Sequence, residues 1–355
     1  MRYAARVLAT ARPARSSLRK LLLAAAALAV CACRPAPARS TGAAPAPSSA
    51  VGAAPAAHDA AGPAPQPAPS PGGDSAAQPP QVAAGDGAPD IALDGRSPVK
   101  LAPPPFGQTL VRPAPAGGSA APRLVKVAEQ KNAITDGAAW FTRNGLSLPT
   151  LQVPGAPRSD AGALPSFVPA RHGDHALVKA IDHGDHLALL YGQSFNDARF
   201  VAIVDAARKV VAFLDFDSFL TPPEIAPGEA AFVRGHVGWA VARDGVLYVS
   251  SGHRTYAASS KGKNAFLSAI DLASGQLLWQ SAPLVCNAEN FVLRGDHLLC
   301  GYGFTAEPDF LYVLDRATGK VVSKLPIKSG PEYLVEKEGK LFVRTYDTDY
   351  VFDIR

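Results

Sequence analysis

Two segments of this 355-residue chain hold the residue types that bind metal ions, His172-Gly173-Asp174-His175 and His183-Gly184-Asp185-His186. Imidazole and carboxylate groups are the usual ligands of zinc and similar ions. The second segment aligns, however, with Gly295-Asp296-His297 and with Asp244-Gly245, each of which leads into an apolar run. That alignment makes it a hairpin turn whose Asp and His flank a glycine. No metal site is therefore assigned. A nucleophile elbow of the form G-x-S-x-G, an H-E-x-x-H helix and a phosphate-cradling glycine loop are all absent from the sequence. No cofactor is implied.

Recognition chemistry is better represented. Four polar loops follow apolar runs: residues 192–196, 250–256, 305–309 and 346–349. They mix aromatic, acidic and basic side chains, which suits binding. The candidate ligand- or partner-binding residues are His253, Arg254, Tyr256, Glu307 and Asp347. Cys286 and Cys300 stand fourteen residues apart. They are either a disulfide or two buried thiols. Their even number in an oxidising compartment favours the disulfide.

These loops must be held by the elements around them, and those elements repeat. A turn leading into an apolar strand occurs at Gly184–Tyr191, Asp244–Val249, Gly295–Cys300 and Glu338–Val343. Each is followed by an apolar strand that ends in aspartate, at Asp205, Asp271, Asp315 and Asp353. After the second and third copies comes a tight turn, Asp271-Leu-Ala-Ser-Gly275 and Asp315-Arg-Ala-Thr-Gly319. The aspartate can accept backbone N–H bonds in such a turn, and glycine supplies a positive φ. Each unit then reads as four short strands, with the turn–strand element second and the Asp-ending strand third. The expected fold is all-β and propeller-like, with roughly four or five blades at about 40–50 residues each, irregular or partial.

The pattern D-x-x-[ST]-G-x-x-x-W at Asp271–Trp279 resembles the repeat of the pyrroloquinoline-quinone-like, or quinoprotein-type, β-propellers. Asp315–Ser323 matches it except that serine replaces the tryptophan, and the copy at Asp205 has Lys209 in place of the glycine. The resemblance covers residues 174–355 and implies fold ancestry without cofactor use. In the cofactor-dependent members a vicinal disulfide accompanies the quinone, and Cys286 and Cys300 are not adjacent. The family includes an outer-membrane lipoprotein that scaffolds barrel assembly. Because the chain ends after a third-type strand, a fourth strand for the last blade must come from the N-terminal side. The candidates are Leu124–Val127 and the segment Ala139–Leu148.

The N-terminus carries its own signal. Arg2, Arg6, Arg12, Arg15, Arg19 and Lys20 precede the apolar run Leu21–Val30, which is too short to span a bilayer. The Val30-Cys31-Ala32-Cys33 that follows resembles the lipobox of bacterial lipoproteins, with Cys33 as the lipidated residue. Residues 1–32 are thus expected to be a signal peptide, 33–122 a disordered Ala/Pro-rich tether and 123–355 the propeller-like domain. The net charge of +5 falls to −1 once the six cations of residues 1–32 are removed. The basic balance is therefore a targeting feature, and nucleic acid is not expected as a partner.

The expected function is a non-catalytic outer-membrane lipoprotein, lipid-anchored and facing the periplasm or the surface, that binds or scaffolds a protein partner. The alternative is an extracytoplasmic enzyme or small-ligand sensor with its site at the propeller mouth. Carboxylates and histidines of displaced pKa gathered in one pocket would favour the alternative. An exposed apolar patch would favour the scaffold.

Overall fold

The computed structural model describes residues 91–355 apart from 94, 155–161, 195, 223–224, 226–227 and 230–232. Cys31, Cys33 and the apolar run before them lie outside the described residues. In chain order the elements are β1 (Val99–Lys100), β2 (Thr109–Leu110), β3 (Leu124–Lys131), α1 (Gly137–Asn144), β4 (Thr150–Gln152), β5 (Gly162–Ala163) and β6 (Arg171–His172). Next come β7 (His175–Asp182), β8 (His186–Gly192), β9 (Ala198–Asp205), β10 (Val210–Asp215), α2 (Asp217–Leu220), β11 (His236–Arg243), β12 (Val246–Gly252), β13 (Phe266–Asp271) and β14 (Leu277–Gln280). The rest are β15 (Val292–Arg294), β16 (His297–Phe304), β17 (Glu307–Asp315), β18 (Val321–Pro326), β19 (Pro331–Lys337), β20 (Lys340–Thr345) and β21 (Thr348–Ile354). No described helix is long and apolar enough to cross a membrane.

Among the described residues the strands form four sheets, giving the propeller-like fold that the repeat anticipates. Blade 1 is built on β7–β8–β9–β10, blade 2 on β11–β12–β13–β14 and blade 3 on β15–β16–β17–β18. Blade 4 is β19–β20–β21 with β3 as its outer strand, so the last blade is completed from the N-terminal side. The repeat element that ends in aspartate is the third strand of each blade.

Local chemistry explains the hairpins. Asp244-Gly245 and Glu338-Gly339 both have positive φ at each residue, which matches the right-handed twist of the strands they join. In the D-x-x-[ST]-G turns, Asp271 Oδ1 accepts the Ser274 N–H at 2.9 Å and its hydroxyl at 2.8 Å. Asp315 Oδ1 does the same for Thr318 at 2.8 and 2.6 Å. Blade 1 has no glycine in this turn, and Arg208 takes the left-handed conformation instead at φ 62°.

One apolar core runs through blades 1, 2 and 3, and a second joins blades 3 and 4. The far face of blade 1 is covered by Ile91, Leu93, Val153 and Val168. The far face of blade 4 is covered by Trp140, Phe141 and Leu146, which pack on Val335. Leu148 packs against both this cluster and the core of blades 1–3. The described residues between 133 and 170 thus form a wedge against the far faces of blades 4 and 1.

The segment Ala139–Leu148, a candidate outer strand by sequence, enters this wedge as helix α1. Its neighbours Trp140 and Phe141 are both buried, whereas strand neighbours would point to opposite faces. Asn144-Gly145 reads as a hairpin turn, but Gly145 closes the helix at φ 57°, and its N–H returns to the helix carbonyls.

The described residues between 91 and 122 run as a strap along the blades. β1 pairs in parallel with β10 on blade 1, and β2 pairs antiparallel with β14 on blade 2. The Ala114 N–H then donates to Ala317 O at 2.8 Å on blade 3. Gly117 and Ser119 donate to the Asp296 carboxylate at 2.6 and 3.0 Å. The isolated apolar residues Ile91, Leu93, Leu101, Phe106 and Ala114 are all buried. Alanine and proline dominate the strap's composition, but these side chains at sparse intervals fix its path.

Candidate functional site

Loops between second and third strands share one face with the connections from blade to blade. Across blades 2, 3 and 4 that face holds a groove of about 690 Å³. His253 and Arg254 reach it from the loop after β12, and Asn287 and Glu289 from the connection between β14 and β15. The rest of the wall comes from the end of β16, from β17, from the β18–β19 connection and the start of β19, and from Tyr346 and Asp347 beyond β20.

Three of the five residues singled out from the sequence, His253, Arg254 and Asp347, line this groove. His253 is 4% exposed and fully engaged. Its Nε2 lies 2.7 Å from Ser260 Oγ, and its Nδ1 lies 2.6 Å from Thr255 Oγ1. Burial lowers its pKa to about 4, so the ring is neutral and organises the loop. The loop is fixed further by the buried Asn264, whose Oδ1 accepts the His253 and Ala265 N–H groups, each at 2.8 Å. Tyr256 packs against Phe304 at a tilt, with ring centroids 5.2 Å apart, and stays 44% exposed. Glu307 accepts the Ala257 N–H at 2.9 Å and the Tyr302 hydroxyl, joining the loops of blades 2 and 3. Tyr256 and Glu307 thus shape the groove from beside it.

The charged residues of the wall differ in how well they are paired. Arg254 donates to Glu289 at 2.7 Å, and Lys179 on β7 lies 3.6 Å from the same carboxylate. Burial alone would raise the Glu289 pKa, but these two cations prevail and hold it at about 2. Asp309 has no such cation among the described residues, and the one lowering influence on it, a hydrogen bond from the Phe304 backbone, comes only third. Burial, with the Asp347 charge in second place, pushes its pKa up to about 6. Its Oδ1 is shut off from solvent without a hydrogen-bond partner. Burial also raises Glu332, because Arg344 Nε stands 3.5 Å away while that guanidinium also serves Asp136 at 2.7 Å and Asp349 at 3.3 Å. Asp347 lies below the usual range because the Ser329 and Thr348 hydroxyls donate to it at 2.5 and 2.9 Å.

Sequence reasoning passed over Glu289, Lys328, Glu332 and Tyr333, which sit on blade-to-blade connections or just beyond them, where the repeat leaves no mark. Asp309 and Tyr346 fall inside the loops identified as recognition segments, but no local signal ranked them above their neighbours.

Both His-Gly-Asp-His segments form hairpin turns, as the alignment of the second implies. The His172 ring packs edge-on against Phe213 at 4.7 Å, and the His175 ring against Phe200 at 4.8 Å. His183 Nε2 bonds Ala240 O at 2.9 Å, and His186 Nε2 accepts the Ala242 N–H at 3.1 Å. These rings tie blade 1 to β11 of blade 2. Among the described residues no three His, Cys, Asp or Glu side chains are grouped as metal ligands would be. Cys286 and Cys300 are buried with their sulfurs adjacent and their Cα atoms 5.5 Å apart, the spacing a disulfide spans.

No protein-family model matches the chain, and no curated protein matches it. Solved structures similar to it include the computationally designed Ika4 protein, at 12% identity and a TM-score of 0.30 over 48% of this chain and 86% of that one. BamB from Moraxella catarrhalis is similar at 13% identity and a TM-score of 0.24, over 53% of this chain and 72% of that one. A europium-containing methanol dehydrogenase is similar at 14% identity and a TM-score of 0.27, over 45% of this chain and 26% of that one. These similarities are too weak to bring an activity, ligand or partner with them.

Proposed function

We propose that this chain is a lipid-anchored, extracytoplasmic binding protein whose groove across blades 2–4 receives a protein partner. The observation that carries this reading is the groove itself, a cavity of about 690 Å³ assembled from three blades and walled by aromatic and charged side chains. Cavities of this size and mixed character are typical recognition sites. The anchoring part of the proposal rests on the basic segment, the short apolar run and Ala32-Cys33. Lipid on Cys33 would hold the body at the outer membrane through the Ala/Pro-rich segment.

A second reading, an extracytoplasmic enzyme or small-ligand sensor, has a specific observation in its favour. Asp309 and Glu332 both carry raised pKa values and line one cavity. Displaced carboxylates in a pocket are a mark of ligand chemistry.

Capture from intact envelopes separates the readings. The full-length chain should retain a defined protein partner, and Tyr346→Ala with Glu332→Lys, both on the groove wall, should lose it. Retention unchanged by both substitutions would remove the groove from the account. A Cys33→Ser variant, expected to leave the membrane fraction, tests the anchor.

A further inference from the structure

We infer that the groove across blades 2–4 is a site for an organic cation, a guanidinium or ammonium group, that neutralises Asp309 and Glu332 against aromatic walls. The inference rests on the proposed binding role of this groove and names the chemistry of its ligand.

The argument begins with charge. Four carboxylates line the groove, Glu289, Asp309, Glu332 and Asp347, beside two cations, Arg254 and Lys328. Both cations are committed. Arg254 is paired with Glu289, and Lys328 is paired with Glu129 on β3, outside the wall. Asp347 is served by the Ser329 and Thr348 hydroxyls and feels the Lys131 charge. Glu332 has only a 3.5 Å share of Arg344, whose side chain is fully buried and whose nearest carboxylate is Asp136 at 2.7 Å. Asp309 has no cation within ion-pair distance among the described residues, and its Oδ1 has no hydrogen-bond partner. Gly303 and Gly330 crowd that oxygen, so closely that a β-carbon on Gly303 would stand 1.9 Å from it. A half-buried carboxylate that has a backbone hydrogen bond from Phe304 but no cation beside it costs stability. A ligand that supplies the missing positive charge recovers that cost on binding.

The walls specify which kind of cation. Phe304, Tyr333 and Tyr346 line the same cavity, with Tyr346 51% exposed. Aromatic faces attract organic cations, and a guanidinium is weakly hydrated enough to leave water for them. The carboxylates are spread along a cavity of about 690 Å³ and are not grouped as metal ligands are among the described residues. The volume exceeds a single side chain and fits several residues of a peptide. A lysine- or arginine-bearing segment of a protein partner is therefore the favoured source, with a free polyamine as the other source of the same chemistry.

The test uses the full chain and three probes: a fluorescent peptide acetyl-Gly-Arg-Gly-Arg-Gly-amide, its Gln-for-Arg counterpart, and spermidine. The arginine peptide should bind and the glutamine peptide should not. Asp309→Asn and Glu332→Gln should each weaken binding about tenfold, the effect of about 1.4 kcal/mol. Glu338→Gln, in the turn between β19 and β20 and outside the groove, should leave affinity unchanged, which rules out general attraction to an acidic surface. Thermal melts of each variant guard against misfolding. Tighter binding of spermidine than of the peptide, with the same dependence on Asp309 and Glu332, would support the cation site and assign its source to a free amine. Equal binding of both peptides, or affinity unmoved by the two substitutions, overturns the inference. If that happens while envelope capture still depends on Tyr346, the cation chemistry fails and the binding role stands. If the arginine peptide binds as expected while capture ignores the groove variants, the cation site stands and the protein-partner reading fails.

Discussion

The indole of Trp279, at the end of the blade 2 repeat, lies directly on Gly319, the glycine of the blade 3 repeat. A β-carbon at Gly319 would come within 2.2 Å of the ring, and the Trp279 Nε1 donates to Arg316 O at 3.0 Å in the same turn. The aromatic of one repeat is thus seated on the glycine of the next, and this contact sets how blades 2 and 3 meet. The Gly275 position of blade 2 is met instead by the strap, with Val99 Cγ1 2.9 Å from where a β-carbon would sit.

Gly319→Ala should therefore destabilise the protein by about 2–4 kcal/mol, from overpacking together with strain at φ 68°. Gly339→Ala offers the comparison, since its φ is 73° but nothing lies within 4 Å of the added carbon. It should cost only about 1–2 kcal/mol of backbone strain. Urea denaturation of both variants, and of Gly319→Ala in a Trp279→Ala background, measures the coupling. Equal costs at the two glycines would contradict the packing role of Trp279.

The strap gives the second prediction. Leu93→Ala and Leu101→Ala remove buried side chains and should each cost about 2–4 kcal/mol. Limited proteolysis should leave a stable fragment that begins near residue 91. A fragment beginning near residue 120, with both leucine variants at wild-type stability, would return residues 91–122 to the tether.

Much of the fold was legible because the hairpins carry their own chemistry. Asp271, Ser274 and Gly275 state a turn by residue type alone, and their equivalents in blade 3 state it again. The completion of blade 4 by β3 was legible in Leu124–Val127, an apolar run upstream of the repeats that pairs with β21. The strap was only partly legible: the apolar residues from Ile91 to Phe106 stand out in Ala/Pro-rich sequence as able to pack on the domain, but its partners lie more than a hundred residues away, as with Gln108 and Gln280. The helix α1 was misread because Asn144-Gly145 serves equally as a hairpin turn and as a helix cap. The groove was partly legible: Arg254 and Asp347 stood out in polar loops. Asp309 did not, because its character comes from Gly303 and Gly330 pressing on it, a tertiary effect.

Stability should depend on pH through Asp309. Burial raises its native pKa to about 6, above the ordinary carboxyl range, so the native state holds the proton longer than the unfolded chain. Its contribution is then most favourable below about pH 4 and is lost as pH rises through 6. Asp309→Asn removes the penalty. After allowance for partial solvent exposure, the variant should exceed wild type by about 1–2 kcal/mol at neutral pH and match it near pH 4. Denaturation curves at both pH values check this, and a variant less stable than wild type at neutral pH would contradict it.

Cys286 and Cys300 lie beside the groove, where the Asn287 N–H also bonds Gly301 O at 3.0 Å. A disulfide between them closes a 14-residue separation and should contribute about 3 kcal/mol. Reduction of the native protein should lower its denaturation midpoint accordingly, and mass spectrometry after alkylation of the denatured, unreduced protein should find neither thiol labelled. Labelling of both would make them buried thiols.

The central claim is that the groove across blades 2–4 is where this protein meets its partner. Site-specific photo-cross-linking tests it most directly, with a photoreactive phenylalanine at Tyr346, on the groove wall, and at Val322, on the outer strand β18. The account predicts a discrete cross-linked product in intact envelopes from position 346 and none from 322. A product from 322 alone would contradict it.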